Sequence, residues 1–419
     1  MHRERNGIMY NFDEIVDRRN TNALNTDGFR GYIFHAGPEM KFPYADDEFV
    51  RMWVADMEFA CAPEIVQALH ERVDRRIFGY TGVYTDDYYE SFSKWCEDHY
   101  GMHFPKEQIC YRPGIIPALY QLTETLLAPD ELVIMNTPAY GYFKHAAEYS
   151  SHGVLESPLK KKDDGTFELD YGNFEQQCAN PKAKLVYWCN PQNPTGRMWT
   201  KEELTRIAFI VEKYNLWIIS DEIHCDLIRV GNRHIPMASI MKDYPKLITC
   251  MAPSKTFNLA GLAFSNIMIR DPETREEFIS RDKLFGMVNP LSLTAAKAAY
   301  DHGGQWLEEL KAYLDKNFRT VKKYFDENIP EAVCYIPEAT YLCWVNLGRA
   351  LPDVEDLPKF FAYKAGVLLE GGNDGFVGNA EGYIRLNLAM PESIIVKGLK
   401  RMKKAIDQEK SQKQKSGDS

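Results

Sequence analysis

The central part of the chain alternates short apolar runs with amphipathic segments, and this alternation restricts the fold more than any other feature. The apolar runs have the length of buried strands and occupy residues 109–111, 132–135, 185–188, 216–219 and 247–251. Apolar residues have helical spacing over 116–127 and 201–214, and Thr200 is placed to cap the second of these helices. Short buried strands that alternate with helices predict an α/β domain, with a mostly parallel sheet covered by helices on both faces.

The two ends of the chain lack this pattern. Residues 1–50 are irregular and polar, whereas the chain from about residue 308 has charged helical patterns and strand candidates at 340–347 and 383–388. A chain of 419 residues is long enough to build two cores. We therefore expect a large domain at 59–307 and a smaller α/β domain built from both chain ends, 1–58 and 308–407. The lysine-, glutamine- and serine-rich segment 408–419 is expected to be a disordered tail.

Composition and charge favour a soluble protein of the cytoplasm. The net charge of −10 offers no basic face to nucleic acid, and no run of about 18 apolar residues could span a membrane. The first 11 residues do not resemble a secretory signal. Nine cysteines are scattered without a Cys-x-x-Cys pair, as expected of reduced thiols. His99 and His103 lack further ligands at the usual spacings, so we expect no metal site.

Four clusters of glycine or polar residues each follow a predicted strand. They are Arg-Pro-Gly-Ile-Ile-Pro at 112–117, Asn-Pro-Gln-Asn-Pro-Thr-Gly at 190–196, Ser-Asp-Glu-Ile-His at 220–224, and Ala-Pro-Ser-Lys-Thr-Phe-Asn-Leu-Ala-Gly at 252–261. Each cluster alone has an ordinary explanation as a turn, a helix cap or a solvated lysine. Ligands of open α/β sheets bind beyond the carboxyl ends of the strands, so the coincidence of four clusters there favours a ligand site.

The residue types in these clusters indicate what the ligand requires. A lysine among apolar neighbours, as Lys255 is, loses its proton readily and attacks carbonyls. A carboxylate at the end of an apolar strand, as Asp221 is, needs a cation such as a protonated pyridine. Gly114 before a helix lets the backbone present free N–H groups to an anion.

The same residues carry a resemblance to a known family. Asn-Pro-x-Asn-Pro-x-Gly, then Asp-Glu-Ile, then Ser-Lys, in this order and spacing, resemble the aminotransferase class I/II superfamily over about residues 12–404. Four shorter segments, 52–57, 78–81, 220–224 and 254–258, are similar to the MalY/PatB-type cystathionine β-lyases, a branch of carbon–sulfur lyases. The resemblance implies fold type I, the fold of a large group of transferases dependent on pyridoxal 5′-phosphate (PLP), with 59–307 as the PLP-binding domain.

The resemblance also implies how the cofactor is held. Lys255 would carry PLP as a Schiff base and later move the substrate α-proton, and Asp221 would pair with the pyridinium nitrogen. Tyr80 would reach the cofactor of a neighbouring subunit, which implies a homodimer with shared active sites. Lys255, Asp221 and Tyr80 are the expected catalytic residues. The expected cofactor-binding residues are Tyr80, Ile115, Ile116, Tyr140, Asn193, Asp221, His224, Ser254 and Lys255.

An L-amino acid is the substrate class that the resemblance implies. Arg385 would grip the α-carboxylate of this substrate, and Ala55, Asp56 and Asn193 would complete the substrate-binding set. The expected reaction is an α,β-elimination on cystathionine or cysteine-type amino acids, which releases a thiol (homocysteine or sulfide), pyruvate and ammonia. An aminotransferase is the main alternative, and a regulatory binding protein on the same fold is a further one.

Two departures from the aminotransferase pattern favour the lyase branch. His224 stands where many of these aminotransferases have tyrosine, and the stretch 261–265 lacks a phosphate-binding arginine. A third departure concerns the lyase branch itself, because residues 22–50 do not match its lysine- and tryptophan-containing lead-in. We expect this segment to border the substrate entrance.

Overall fold

The architecture follows from a computed structural model of the chain, which describes residues 10–282 and 286–417. A seven-stranded sheet forms its centre. The strands are β1 (Ile109–Arg112), β2 (Leu132–Thr137), β3 (Val154–Pro158), β4 (Ala183–Cys189), β5 (Trp217–Asp221), β6 (Leu247–Met251) and β7 (Ser265–Ile269). Their order across the sheet is β1–β7–β6–β5–β4–β2–β3, and β7 alone runs antiparallel to its neighbours. The expected mostly parallel sheet is confirmed.

Helices cover both faces of this sheet. In the described chain, the helices of eight or more residues are α1 (Pro63–Asp74), α2 (Asp87–Tyr100), α3 (Ile115–Leu126), α4 (Gly141–Tyr149), α5 (Tyr171–Cys178), α6 (Lys201–Lys213), α7 (Pro272–Ser280), α8 (Pro290–His302), α9 (Gly304–Asn328), α10 (Leu357–Ala365) and α11 (Glu392–Gly417). Of these, α10 and α11 belong to a second, smaller core and not to the large sheet. Alternate residues of β2 enter different cores, since Ile134 belongs to one cluster and Val133 and Met135 to the other. Each face of the sheet is therefore buried, which explains why its strands read as continuous apolar runs.

Local signals place the helix boundaries. Thr200 caps α6 as expected: its side chain accepts from the backbone N–H of Glu203, whose carboxylate accepts from the N–H of Thr200. Short helices lie at Leu24–Asp27, Phe29–Phe34, Met237–Ile240, Pro253–Thr256 and Gly372–Gly375. Within the described ranges, 10–282 and 286–417, no helix combines the length and the apolar character needed to cross a bilayer.

A second, smaller sheet is built near the C-terminus. Its strands are β8 (Val333–Cys334), β9 (Leu342–Asn346), β10 (Glu370–Gly371) and β11 (Tyr383–Asn387), all antiparallel in the order β8–β9–β11–β10. The core beside this sheet contains Val50 and Met52 together with Leu399 and Met402. Both chain ends therefore contribute to the smaller core. Short strand pairs join Val50–Arg51 to Val367–Leu368, Ala139–Tyr140 to Phe376–Val377, and Lys160–Lys161 to Phe167–Glu168.

The helix α9 belongs to both cores. Its first half contributes Leu310 and Leu314 to the larger core, and its second half contributes Phe318 and Val321 to the smaller one. The expected boundary between residues 307 and 308 thus falls inside a continuous helix. Because a helix can bury different stretches of its length in different cores, the change of packing partner leaves no break in the sequence.

The expectation of a disordered tail from residue 408 is corrected by the structure. The helix α11 continues to Gly417, and the last two residues, 418 and 419, lie outside the described part of the chain. Lys403 forms an ion pair with Asp407 of the same helix, and Lys410 forms one with Glu331, which lies just before β8. Lysine and glutamine are good helix formers, so a polar composition here extends a helix that is already nucleated by its buried first half.

Candidate active site

The four clusters singled out in the sequence meet at one edge of the large sheet. Strand β5 ends at Asp221, which lies opposite Cys189 of β4 and Cys250 of β6. Parallel strands bring their carboxyl ends to one edge, and a cavity of about 260 Å³ lies there. Ten of the predicted site residues line this cavity: Ala55, Ile115, Ile116, Tyr140, Asn193, Asp221, His224, Ser254, Lys255 and Arg385.

Lys255 projects into the cavity from the short helix Pro253–Thr256. Its Nζ donates a hydrogen bond to the carbonyl oxygen of Ala55 at 2.6 Å, and the Tyr341 hydroxyl donates to the same oxygen at 2.8 Å. Burial, together with the positive charge of Arg385, lowers the pKa of the Lys255 amine to about 8. A substantial fraction of this amine is therefore neutral, and thus nucleophilic, near physiological pH.

The segment that carries the Ala55 carbonyl is held by two asparagines. Asn258 accepts the backbone N–H of Met57 at 3.0 Å and donates to the carbonyl of the same residue at 3.0 Å. Asn387 donates to the Val54 carbonyl at 2.7 Å. Asn258 stands in the segment 254–258 that carried the resemblance and Asn387 in the strand candidate 383–388, but the sequence alone indicated no role for either. Their contacts join the segment 52–57 to the lysine motif and to β11.

Asp221 and His224 form the floor of the cavity. The Asp221 carboxylate accepts the backbone N–H of Ile223 at 3.1 Å, and burial raises the pKa of this carboxyl to about 7. Burial, with Lys255 and Arg385 nearby, lowers the pKa of the His224 imidazole to about 3, so this ring is neutral at physiological pH. Nδ1 of His224 is buried without a partner within residues 10–282 and 286–417. The floor thus offers a carboxylate that requires a cation and a neutral ring with unused hydrogen-bonding capacity.

Arg385 forms one wall, and its guanidinium is held from two sides. Nη1 donates to Oδ1 of Asn193 at 3.1 Å, and Nη2 pairs with the buried carboxylate of Glu370. Glu370 and Arg385 are direct cross-strand neighbours on β10 and β11. Sequence analysis missed Glu370, because no local pattern indicates which strand β11 pairs with or in which register.

Another part of the cavity lining suits an anion. Gly114 precedes α3 without a side-chain cap, so the first N–H groups of this helix, at Ile115 and Ile116, are available beside Ser254. An anion site, a buried carboxylate and a nucleophilic amine therefore share one cavity. This donor set fits PLP, which carries a phosphate, a basic ring nitrogen and an aldehyde.

Two predicted site residues lie outside the cavity. Tyr80 is 93% exposed. Asp56 forms an ion pair with Arg18 at 2.7 Å and accepts a hydrogen bond from Asn25, so its carboxylate is committed to the N-terminal segment. Neither the Tyr80 side chain nor the Asp56 side chain lines the cavity that contains Lys255.

A second cavity of about 610 Å³, which we call the outer cavity, adjoins the first. Tyr32, Tyr140 and Glu370 line both cavities, and the hydroxyl oxygens of the two tyrosines are 3.1 Å apart. Residues 31–35 and Met40 form part of the outer wall. The segment that departs from the lyase pattern in sequence thus lies beside the candidate site, and Tyr32 is a lining residue that the motifs did not reveal.

The pKa of Asp221 leads to a prediction for the cofactor-free protein. A carboxyl whose pKa is raised on folding, here to about 7, contributes stability below its unfolded pKa, and this contribution is lost as the pH rises through the folded value. We therefore expect Asp221→Asn to have a higher melting temperature than wild type. The difference in melting temperature between the two proteins is expected to be larger at pH 8 than at pH 5. Thermal unfolding of both cofactor-stripped proteins at the two pH values measures this. Asp163→Asn, at an exposed site, is the control; an equal difference at both pH values would contradict the assignment.

Comparison with known proteins places the chain among PLP enzymes. A family model described as aminotransferase class I and II matches residues 48–401. Cystathionine beta-lyase PatB of Bacillus subtilis is 34% identical over 94% of this chain and 100% of its own length. Protein MalY of Escherichia coli is 31% identical over 95% of this chain and 99% of its own. The PLP-bound C-S lyase of Staphylococcus hominis superposes with a TM-score of 0.91 at 41% identity, covering 95% of this chain and 98% of that one.

Proposed function

The chain belongs to the aminotransferase class I and II family, and from this premise we propose that it is a PLP-dependent carbon–sulfur β-lyase. The resemblance drawn from the sequence motifs, including its lyase branch, is confirmed. The substrate is an L-amino acid with sulfur at Cβ, of the cystathionine or cysteine type. The products are a thiol, pyruvate and ammonia.

One structural observation carries this proposal. A single cavity joins the Lys255 amine, the Asp221 carboxylate and the Arg385 guanidinium, and these groups are those needed to bind PLP and an amino acid side by side. His224, which stands where many aminotransferases of this family have tyrosine, and the missing arginine near residue 263 favour elimination over transamination. A purely regulatory role is disfavoured because all three reactive groups are present together.

The chemistry follows from what each group can hold or move. Bound PLP withdraws electrons from the substrate α-carbon, which makes the α-proton acidic. The fork of Arg385 orients the α-carboxylate of the substrate. Lys255 removes the α-proton with its Nζ, which the Ala55 carbonyl holds in place at 2.6 Å. Asp221, whose buried carboxylate lines the cavity, would keep the ring nitrogen of the bound cofactor protonated.

The elimination and the hydrolysis that follows it balance with water as the only further reactant. The α-proton goes to Lys255, and the electron pair of the Cα–H bond forms the Cα=Cβ bond. The Cβ–S bond breaks, and the thiolate leaves with the electron pair of that Cβ–S bond. The released three-carbon enamine takes up water to give pyruvate and ammonia. No oxidant or keto-acid acceptor takes part, and this separates the reaction from transamination.

The decisive experiment uses this difference. The purified protein is expected to show a visible absorbance band that borohydride removes, and to form pyruvate and free thiol from L-cystathionine without any keto acid. If no pyruvate forms, but a keto acid must be supplied to restore the absorbance band after an amino acid has been added, the protein is an aminotransferase. If no band appears even after PLP is supplied, the proposal is overturned.

The assembly we propose is a homodimer with shared active sites. Ile77, Phe78, Tyr80 and Tyr84 are exposed by 71%, 54%, 93% and 81%, and they cluster in one short segment. Exposed apolar side chains this dense are typical of an interface. Insertion of Tyr80 into the partner subunit's cavity would bury this segment and supply the residue that is missing from the cavity of its own chain.

Hybrid dimers test this arrangement. Tyr80→Ala and Lys255→Ala homodimers are expected to be nearly inactive, because each lacks one group at both sites. If Tyr80 serves the partner's site, a purified heterodimer of the two variants has one intact site and is expected to recover about half of the wild-type activity. If Tyr80 serves its own chain, both sites of the heterodimer are defective and it stays as inactive as the parents. Co-expression with two affinity tags and a pyruvate assay make the measurement.

A cytoplasmic location is the remaining part of the proposal. All nine cysteines are free, and seven of them are buried. Free thiols in this number suit a reducing compartment.

A further inference from the structure

The carboxylate of Glu370 is buried against the guanidinium of Arg385, and both groups line the cavity that contains Lys255. The two residues are cross-strand neighbours on β10 and β11, and their side chains are exposed by only 7% and 2%. Nη1 of Arg385 donates to Asn193, and each η nitrogen carries two N–H groups. The guanidinium can therefore keep both neighbours and still offer one N–H from each η nitrogen to an arriving carboxylate.

The positive charge of Arg385 is already balanced before a substrate arrives. Glu370 forms the ion pair with it, whereas Asn193 is neutral. A substrate α-carboxylate bound to Arg385 is then a second anion beside one buried guanidinium. Two carboxylates that share such a site do not both stay ionised, because a buried charge without a partner is costly and the group takes up a proton instead.

The other ionisable groups around Glu370 leave this conflict in place. Burial raises the pKa of the Glu370 carboxyl, although Arg385 and Lys255 act in the opposite direction. Tyr32 and Tyr140 also interact with this carboxylate, and burial raises the pKa of both phenols, so both stay neutral. The outer cavity, which Glu370 also lines, adds five exposed side chains whose charges water screens, three of them from the start of α10, which packs against β10: His35, His145, Glu355, Asp356 and Lys359.

We propose that Glu370 takes up a proton from the solvent when the α-carboxylate of the substrate binds to Arg385. The inference rests on the proposed function, because it requires an amino-acid carboxylate at Arg385. Glu370 is the group that takes the proton, since a glutamate side chain binds a proton more tightly than an α-carboxylate does. As a neutral acid it still accepts a hydrogen bond from the guanidinium, whose charge now faces the substrate. Glu370 is thus a positioning residue that couples carboxylate binding to pH.

The direction of the pH dependence follows from linkage. At alkaline pH Glu370 is ionised in the free site and protonated in the occupied site, so binding consumes one proton. Carboxylate binding is therefore strongest below the pKa of Glu370 in the free site. Above that pKa the dissociation constant rises by up to about tenfold per pH unit.

The test uses the PLP-loaded wild-type protein and 3-(methylthio)propanoate, which is S-methylcysteine without its amino group. This probe presents the carboxylate but has no amine to react with the cofactor. Titration calorimetry in buffers of different ionisation enthalpy measures Kd and the protons taken up. From about pH 6 to about pH 9, uptake is expected to approach about one proton per site while Kd rises by up to about tenfold per pH unit. The methyl ester of the probe is expected to cause no uptake.

Glu370→Gln separates this role from simple support of Arg385. Glutamine keeps the size of the side chain and an acceptor oxygen for the guanidinium, but it carries no charge. The variant is expected to lose the proton uptake due to Glu370. At about pH 9 it is expected to bind the probe at least about tenfold more tightly than wild type does. Glu381→Gln, at an exposed acid just before β11, is the matched control and is expected to behave as wild type.

Three outcomes would overturn the inference. One is equal proton uptake by wild type and by a folded Glu370→Gln protein, and another is weaker probe binding by this variant at every pH, since Glu370 would then only hold Arg385 in place. The third rests on wild type alone and decides the matter even if the variant does not fold: no probe binding, or binding without proton uptake over the whole pH range. The pyruvate assay with L-cystathionine is independent of all three and decides the lyase function separately.

Discussion

Lys255→Ala is expected to lower pyruvate formation from L-cystathionine by about 10²- to 10⁴-fold or more, because it removes the amine that we propose moves the α-proton. The Lys255 amine has a pKa lowered to about 8 and is held at 2.6 Å from the Ala55 carbonyl oxygen. Among the residues that the structure describes, no other lysine lines this cavity. Borohydride is expected to attach the cofactor covalently to the wild-type chain, but not to the Lys255→Ala variant. Steady-state pyruvate assays and mass spectrometry after borohydride treatment measure the two effects.

The matched control for this variant is Lys94→Ala. Lys94 is exposed on α2, where it pairs with Asp98, and its replacement is expected to leave turnover unchanged. Thermal unfolding of both variants separates a catalytic loss from a loss of folded protein. Normal turnover in a folded Lys255→Ala protein would refute the proposed mechanism.

Arg385→Ala is expected to lower kcat/KM about 30- to 3,000-fold, chiefly through a higher KM. Truncating one partner of a buried charge pair costs about 2–5 kcal/mol, and each 1.4 kcal/mol corresponds to about one factor of ten. Part of this loss arises because Glu370 keeps a buried carboxylate without its guanidinium partner. Steady-state kinetics with L-cystathionine over a wide concentration range measure the KM and kcat effects separately.

Two further variants define what Arg385 contributes. Arg385→Lys keeps the charge but loses the planar fork, so its KM is expected to lie between those of wild type and Arg385→Ala. Arg206→Ala, at an exposed arginine of α6 that stacks on Tyr171, is expected to leave both constants unchanged. A fall in kcat with an unchanged KM in Arg385→Ala would show that this arginine does not bind the substrate carboxylate.

Local patterns predicted much of the fold correctly. The strands at Leu132–Thr137 and Leu247–Met251 and the helix capped by Thr200 lie where the apolar spacing placed them, within a few residues. Such elements could be predicted because buried strands and amphipathic helices each leave a periodic trace in adjacent residues. The prediction of disorder from residue 408 was wrong for a related reason. A polar end of a helix, without an apolar stripe, has the same composition as a disordered segment.

The candidate site divides in the same way. Asp221 and Lys255 could be identified because each follows an apolar strand and stands in a recognisable motif. Glu370 could not, since its function depends on lying opposite Arg385 in an antiparallel pair. Tyr32 could not either, because its segment has no regular pattern and becomes part of a cavity only by packing against Trp53.

The sequence by itself therefore determined the α/β class, the order of its elements and the residues that meet at the carboxyl edge of the sheet. These depend on local periodicity and on the rule that parallel strands end together. Only the tertiary structure decided how the Ala55 carbonyl is held for Lys255, which carboxylate faces Arg385, and that a large outer cavity adjoins the inner one. These features join residues hundreds of positions apart, and their geometry is set by strand register and by the packing of two cores, which neighbouring residues do not encode.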